Sequence, residues 1–500
     1  MSQFDPTKTQ GFFGQPTGLS TLFFTEMWER FSYYGMRAIL VLFMTTPTAQ
    51  EGMGLTTETS GAIYGLYTAG VYLLTLPGGW LADNIFGQRK AIWYGGILIM
   101  IGHLLLAIPG PHEIFFAGLV FVASGTGLLK PNISTIVGDL YPDKGARRDA
   151  GFSIFYMGIN LGSLLGQTFV ALLGEKVNWH LGFGLAAVGM LLGLIQFRAT
   201  QKSLGDLGVE PKAKMDREAN GTKSNPQLAW GFLALLIAFL TALQLTDQIN
   251  IFTAVGFASA VGVIIVAVTL MYFTYILIAG GLSIEEKKKV VVIFMLFVGA
   301  AVFWSGFEQA GSSLNLFARD YTNRFLFGWE LPAGWLQNVN PAFIIILAPV
   351  FGALWVRLAA RNMNPSTPVK FSFGLILMAL GFLVMYYAAQ VITDGGKTGM
   401  MALVLTYFLH STGELTLSPV GLSATTKLAP RKYLGQMMGI WFVGAALGNL
   451  IAGLYAGNFD PSNVQQIPSL FLTVVWVGVG AGIIFFALSP WMKNWMGDVK

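Results

Sequence analysis

Cysteine is absent from all 500 residues, which excludes disulfides, cysteine-ligated metals and thiol catalysis. Charge is scarce as well: Asp, Glu, Lys and Arg together make up 11% of the chain, against roughly a quarter in ordinary soluble domains. A chain that is 54% hydrophobic with so few charges cannot maintain a water-facing surface, so most of it takes lipid as its solvent. Histidine occurs four times, and neither His-Glu-xx-His nor Gly-x-Ser-x-Gly nor a cluster of metal ligands is found, so an enzyme embedded in the membrane finds no support. Met1 to Leu19 lacks the basic, apolar and small-residue order of a cleavable signal, and the first span is expected to be a permanent anchor.

What is present is a series of about fourteen apolar segments, each long enough to cross a hydrocarbon core of roughly 30 Å. The basic residues sort by loop. Arg89, Lys90, Lys144, Arg147, Arg148, Lys287 to Lys289, Arg357, Arg361, Lys370, Lys427, Arg431 and Lys432 fall on one side with both termini, while Lys176, Arg319, Arg324 and Lys397 fall on the other. By the positive-inside rule the crowded side is cytoplasmic, and the net charge of +5 reflects topology rather than nucleic-acid binding.

Six spans within residues 1–200 precede a polar stretch, 201–227, that reads as a cytoplasmic linker. Eight follow: a hairpin within 228–283, expected as helices near 228–246 and 252–280, and a second group of six within 284–500. An internal repeat supports two halves. Pro131 and Pro142 are spaced as Pro419 and Pro430 are, and each pair precedes a Gly-xxx-Gly helix, Gly158/Gly162 and Gly444/Gly448. The glycines read first as close helix packing. The expected fold is all-α, with 12 core transmembrane helices in two six-helix bundles and a two-helix insertion, 14 in total, an arrangement that alternating-access carriers use.

The sharpest signal is Glu26-Met27-Trp28-Glu29-Arg30-Phe31-Ser32-Tyr33-Tyr34-Gly35-Met36-Arg37 in the first span. Its polar residues Glu26, Glu29, Arg30, Tyr33, Tyr34 and Arg37 follow the helical period, so two carboxylates, two guanidiniums and two phenols share one stripe. Each ion at mid-membrane costs on the order of 2.5–3.5 kcal/mol, so the stripe must line a protein-enclosed or wet cavity with mutual pairing. Lys130, Glu308 and Glu414 add ions from three other spans. Cations and anions together suit a zwitterionic cargo; the plainer alternative is that the ions only lock one another structurally.

The Glu-xx-Glu-Arg-Phe-xx-Tyr-Gly pattern resembles the signature of the proton-dependent oligopeptide transporters, a family of the major facilitator superfamily. Gly78 to Lys90 resembles the general facilitator motif, with Asn84 in place of a basic residue; Phe152 to Gly162 resembles the family's fifth-helix segment, and Ser418-Pro419-Val420-Gly421-Leu422 its tenth. The resemblance implies proton-coupled symport of di- and tripeptides into the cytoplasm across the cell's inner membrane, without a cofactor and without an obligate protein partner. Glu26, Glu29 and Glu308 would couple the proton. Arg30, Tyr34 and Arg37 would bind the peptide carboxylate, Glu414, Asn160 and Asn340 its amino terminus, and Tyr33, Tyr72, Trp304 and Trp441 would shape the pocket, with Lys130 and Ser418 completing the peptide-binding set. The same comparison pairs Lys130 with Glu414 or a first-helix carboxylate, and Arg37 with Glu308. Gly65 stands where animal members carry a second-helix histidine, which leaves the proton to a carboxylate. For Tyr72, Trp304 and Trp441 packing is an equally good account, and His410, one turn before Glu414, is a candidate to tune it. A carrier of nitrate or of a drug-like substrate is the alternative, and a channel a further one.

Overall fold

In a chain surrounded by lipid every backbone N–H and C=O must find its partner within the protein, which restricts apolar spans to helices or closed barrels. The computed structural model resolves the choice: helices dominate, and strand occurs only in four two-residue pieces among the described residues, which are 11–142, 145–211 and 249–497 with Thr7 and Gln244. The helices are α1 (Gly18–Thr45), α2 (Thr57–Leu73), α3 (Thr75–Leu81), α4 (Gln88–Leu106), α5 (His112–Asp139), α6 (Ala146–Lys176), α7 (Trp179–Thr200), α8 (Ala254–Ala279), α9 (Ile284–Phe307), α10 (Ser313–Tyr321), α11 (Val339–Ala360), α12 (Thr367–Thr393), α13 (Met401–Leu428), α14 (Leu434–Ala456) and α15 (Ile467–Met496).

Among the described residues, ten segments are long and apolar enough to cross a membrane. The 28-residue α1 is not among them, because any long window along it includes at least three of Glu26, Glu29, Arg30 and Arg37. Its length, about 42 Å at 1.5 Å per residue, nevertheless spans a bilayer. Of the expected inserted pair, the helix at 228–246 lies outside the described residues, as does the linker beyond residue 211. The second inserted helix is α8, which packs against α14 and α9 and is otherwise largely exposed.

Two compact units emerge, one comprising Met1–Phe43, Thr48–Met53 and Gly70–Gln248, the other Met44–Pro47, Gly54–Ala69 and Ile249–Lys500. Within the first, α4 packs along α5 and α7. Gly95 faces Gly125 so closely that a Cβ on Gly95 would lie 2.7 Å from the Gly125 carbonyl oxygen. Small residues of this kind let helix backbones approach in lipid, where apolar burial supplies little drive for association. Within the second unit, α12 is flanked by α13 and α15, and α9 by α14 and α15. Gly374 and Gly413 make the corresponding approach there.

Helix ends are secured by side chains. Ser283 and Glu286 form a reciprocal capping box at the start of α9, and the Asn178 side chain accepts from the His180 and Leu181 amides at the start of α7. The expected linker begins as ordered structure: Gln201–Leu204 continues α7 as a 3-10 turn, and the Arg89 guanidinium donates to the carbonyls of Gln201 and, at 2.8 Å, of Gly205. A cation there satisfies carbonyl groups that a helix C-terminus leaves without intrahelical donors.

Candidate functional site

The first unit turns the polar stripe of α1 inward. Glu26, Glu29 and Arg30 are 2%, 0% and 3% exposed. Arg30 Nε lies 2.7 Å from Glu26 Oε1 and 2.8 Å from Glu29 Oε2, so one guanidinium edge serves two carboxylates. Thr126 Oγ1 of α5 donates to Glu29 Oε1 at 3.3 Å. The spacing of 26, 29 and 30 predicted a shared face; Thr126, which sequence reasoning missed, sits one turn before Lys130 on α5, and that i, i+4 relation was the available signal.

Arg30 is held at its base. Gly162 of α6 approaches α1 so closely that a Cβ there would overlap the Met27 carbonyl oxygen and lie 3.0 Å from Arg30 Cβ. Above it, the guanidinium carbon of Arg30 is 5.5 Å from the Tyr33 ring centroid and that of Arg37 is 5.3 Å from Tyr34. Lys130 Nζ lies 4.0 Å from the Tyr72 ring centroid, which makes Tyr72 a cation-binding surface rather than a lipid-facing ring. Asn160 is buried on α6 and donates to the Tyr156 carbonyl at 2.9 Å, bonding back onto its own helix.

In the second unit Glu308 falls where the expected continuous span breaks. The helix ends at Phe307, Glu308–Gly311 form one 3-10 turn, and α10 resumes at Ser313. Glycine and serine at 306, 311, 312 and 313 are the sequence signal for that break. Glu308 is 3% exposed, its carbonyl accepts from Tyr64 Oη at 3.5 Å, and the break is braced by Gln309, which donates to Ser305 O at 3.1 Å and accepts from Ser313 Oγ at 2.7 Å. Asn340 Nδ2 donates to Ser411 Oγ at 2.8 Å, tying α11 to α13, where Glu414 and Ser418 are partly exposed.

Two aromatic residues separate. Trp304 stacks edge-on with Phe303 and Phe307 and remains partly exposed. Trp441 is buried against Phe371 and against the bare face of Gly421, where a Cβ would overlap its indole, so it is a packing residue of α13 and α14. His410 has a packing role too: its ring lies between Phe307 and Phe382, and Nε2 is 3.1 Å from the Met378 carbonyl. Gly65 has a steric reason for bearing no side chain, since a Cβ would come 3.0 Å from the Leu450 carbonyl oxygen. No group of three or more His, Asp or Glu able to hold a metal occurs among the described residues.

Arg30 Nη2 and Glu26 Oε2 are both buried without a hydrogen-bond partner. The cluster therefore retains hydrogen-bonding capacity that its own side chains do not use, in a setting where an unmet charged group is costly. A multi-span helical protein with buried, unsaturated ion pairs on its first span and a helix broken at an acidic residue belongs to the class of secondary carriers.

The comparisons specify the class. The POT family model, PTR2, matches residues 89–470, and the chain belongs to that family, with its major facilitator fold. It is 42% identical to the Peptide transporter YePEPT of Yersinia enterocolitica over 93% of each chain, and 38% identical to the Di-/tripeptide transporter of Lactococcus lactis subsp. cremoris over 98% of each. Among solved structures, a mutant of peptide transporter POT in complex with alafosfalin matches with a TM-score of 0.86 and 42% identity over 98% of both chains.

Proposed function

We propose that this protein is a proton-coupled symporter of di- and tripeptides, working by alternating access and importing its cargo into the cytoplasm. The observation that supports it most directly is the Glu26–Arg30–Glu29 cluster: a guanidinium held by two carboxylates yet with Nη2 still unbonded can exchange a carboxylate of the protein for that of a peptide. Protonating one of the carboxylates weakens its hold on Arg30 and makes the guanidinium more available, which ties proton uptake to peptide binding. Peptide as cargo follows the relatives named as peptide and di-/tripeptide transporters. The alafosfalin complex of a relative supports a site that also admits peptide-like drugs.

On this reading the chain performs no catalysis and needs no cofactor. One net charge moved through 100 mV supplies about 2.3 kcal/mol, which is about fiftyfold accumulation. On the same reading the helices lie in the inner membrane with both termini in the cytoplasm, an orientation that the excess of basic residues in the loops on that side supports. Purified protein in liposomes should concentrate labelled dialanine when an inward proton gradient and an inside-negative potential are imposed, and only equilibrate it without them. Gradient-driven nitrate uptake with no dialanine uptake would replace the peptide reading by the anion one, and unitary currents in a planar bilayer would replace the carrier by a channel.

A further inference from the structure

Between α10 and α11 the chain forms a small hairpin whose apolar side chains point away from the protein. Phe325 pairs with Glu330 and Leu326 with Trp329 in antiparallel register around the two-residue turn Phe327–Gly328. Both turn residues have positive φ, 51° and 80°. That turn favours Asn or Asp at its first position, and a bulky aromatic residue in the left-handed region is strained. Phe327 is nonetheless 100% exposed, and Phe325, Leu326 and Trp329 are 61%, 46% and 44% exposed. The hairpin base is fixed: Arg324, 7% exposed, donates to Glu330 Oε1 at 2.9 Å and to the Leu331 carbonyl, and Trp329 packs edge-on against Trp335 at 5.4 Å. A braced loop that holds a strained, wholly exposed phenylalanine between three other apolar side chains is poorly suited to water.

We propose that this hairpin is a membrane-interface anchor, placing Phe327 at the headgroup–acyl boundary of the leaflet opposite the Lys287–Lys289 loop. Its short tethers keep it within reach of that boundary. The segments flanking it, Ile284–Tyr321 and Ala333–Ala360, are both membrane-crossing in length and hydropathy, and the strands begin and end within four residues of them. At 3.3–3.4 Å per residue the turn stands at most about 20 Å from the span ends, so the hairpin can fold back onto the interfacial zone, which extends roughly 5–8 Å beyond the hydrocarbon core on each side. On α11, the span that follows, Ile345, Ile346 and Val350 are exposed as well, as lipid-facing side chains of a membrane helix are. Aromatic side chains are the residues that interfaces take up, and an apolar tip braced by a charged base is a form suited to lying in one. The anchor would hold the end of α10 at a fixed depth while leaving the break at Glu308–Gly311 free to flex.

The absence of cysteine makes the test direct, because Phe327→Cys creates a single labelling site. With an environment-sensitive fluorophore there and the protein in nanodiscs, lipids bearing a shallow acyl-chain nitroxide should quench the probe about threefold more than aqueous iodide does. A probe at Asn458→Cys, an exposed loop on the same side, should show the reverse order. Because the probe itself is apolar, a second pair removes its influence: a label at Leu326→Cys should lose most of its lipid quenching when Phe327→Asp is added, with unchanged elution in size-exclusion chromatography. Iodide quenching at position 327 equal to that at 458 would place the hairpin in water and overturn the proposal. Protection from both quenchers would overturn it in favour of cover by another protein chain.

Discussion

In the first unit Gly158 and Gly162 of α6 face Phe23, Met27 and Arg30 of α1, whereas in the second Gly444 and Gly448 of α14 face Phe297, Ala301 and Trp304 of α9. The glycines lie 286 positions apart (158 to 444, 162 to 448), and the residues they face lie 274 apart (23 to 297, 27 to 301, 30 to 304). The two crossings therefore share one register. On that register Glu26, Glu29 and Arg30 correspond to Ala300, Phe303 and Trp304, and Tyr34 to Glu308. Pro131 and Pro419 match α5 to α13, which sets Thr126 in correspondence with Glu414. The carboxylate has changed helices. In the first unit it is Glu29 on the leading helix, facing a threonine; in the second it is Glu414 on the later helix, and the leading helix offers the Phe303 ring, 3.2 Å from where a Cβ on Gly413 would lie. A close glycine crossing fixes backbone proximity and leaves the flanking side chains unconstrained, so a duplicated scaffold can keep its packing while its halves acquire different charges.

The largest contrast is expected at the matched pair Arg30 and Trp304. Arg30→Ala strands two buried carboxylates, a loss of about 3–5 kcal/mol for a broken buried ion pair, and should abolish both uptake and exchange of dialanine. Trp304→Ala should weaken peptide binding while leaving gradient-driven uptake measurable at high peptide concentration. Equal loss of all transport in both would show that the indole at the second unit's position is as necessary to transport as the guanidinium at the first. Next in size, Glu308→Gln should remove uphill uptake and spare exchange between compartments at equal pH, whereas Glu414→Gln should weaken peptides with a free amino terminus more than N-blocked analogues. A Glu308→Gln protein that still concentrates peptide would move the coupling step to Glu26 or Glu29.

Much of this asymmetry was legible in sequence. The ions of α1 follow the 3.6-residue period, so their shared face and mutual pairing could be read from spacing. The repeat was visible from Pro131, Pro419 and the paired glycines. Spacing did not show that Trp441 fills the notch beside Gly421, that His410 is held by Phe382 and the Met378 carbonyl, or that Tyr72 underlies Lys130. Those contacts join different helices, and periodicity informs only on the helix that bears it. The break at Glu308 was missed for another reason: the apolar run before it and Leu314, Leu316 and Phe317 beyond it read together as one span, while the interruption depends on backbone geometry.

A smaller effect tests the packing side of the comparison. Gly162→Ala would force a methyl group onto the Met27 carbonyl, and Gly448→Ala would place one 2.7 Å from the Ala301 carbonyl. Both are backbone approaches that rotamer changes cannot relieve, so each should cost about 1–3 kcal/mol as overpacking, with similar losses in thermal unfolding temperature in detergent. A much greater loss at Gly162 would indicate that the crossing also sets the geometry of the Arg30 cluster.

The smallest effect is expected at Thr126, and it separates hydrogen bonding from shape. Thr126→Val keeps the branched side chain and its packing but removes the 3.3 Å hydrogen bond to Glu29 Oε1, whose net worth is about 1 kcal/mol. Because that hydroxyl donates to the carboxylate, its removal leaves Glu29 Oε1 with one donor fewer. If Glu29 takes part in coupling, the pH profile of gradient-free exchange should shift by less than about one unit, with thermal stability nearly unchanged. Thr126→Ser, which retains the donor, should restore the wild-type profile. If the profile stays fixed in Thr126→Val, then Glu29 is a structural partner of Arg30 and the coupling step lies elsewhere.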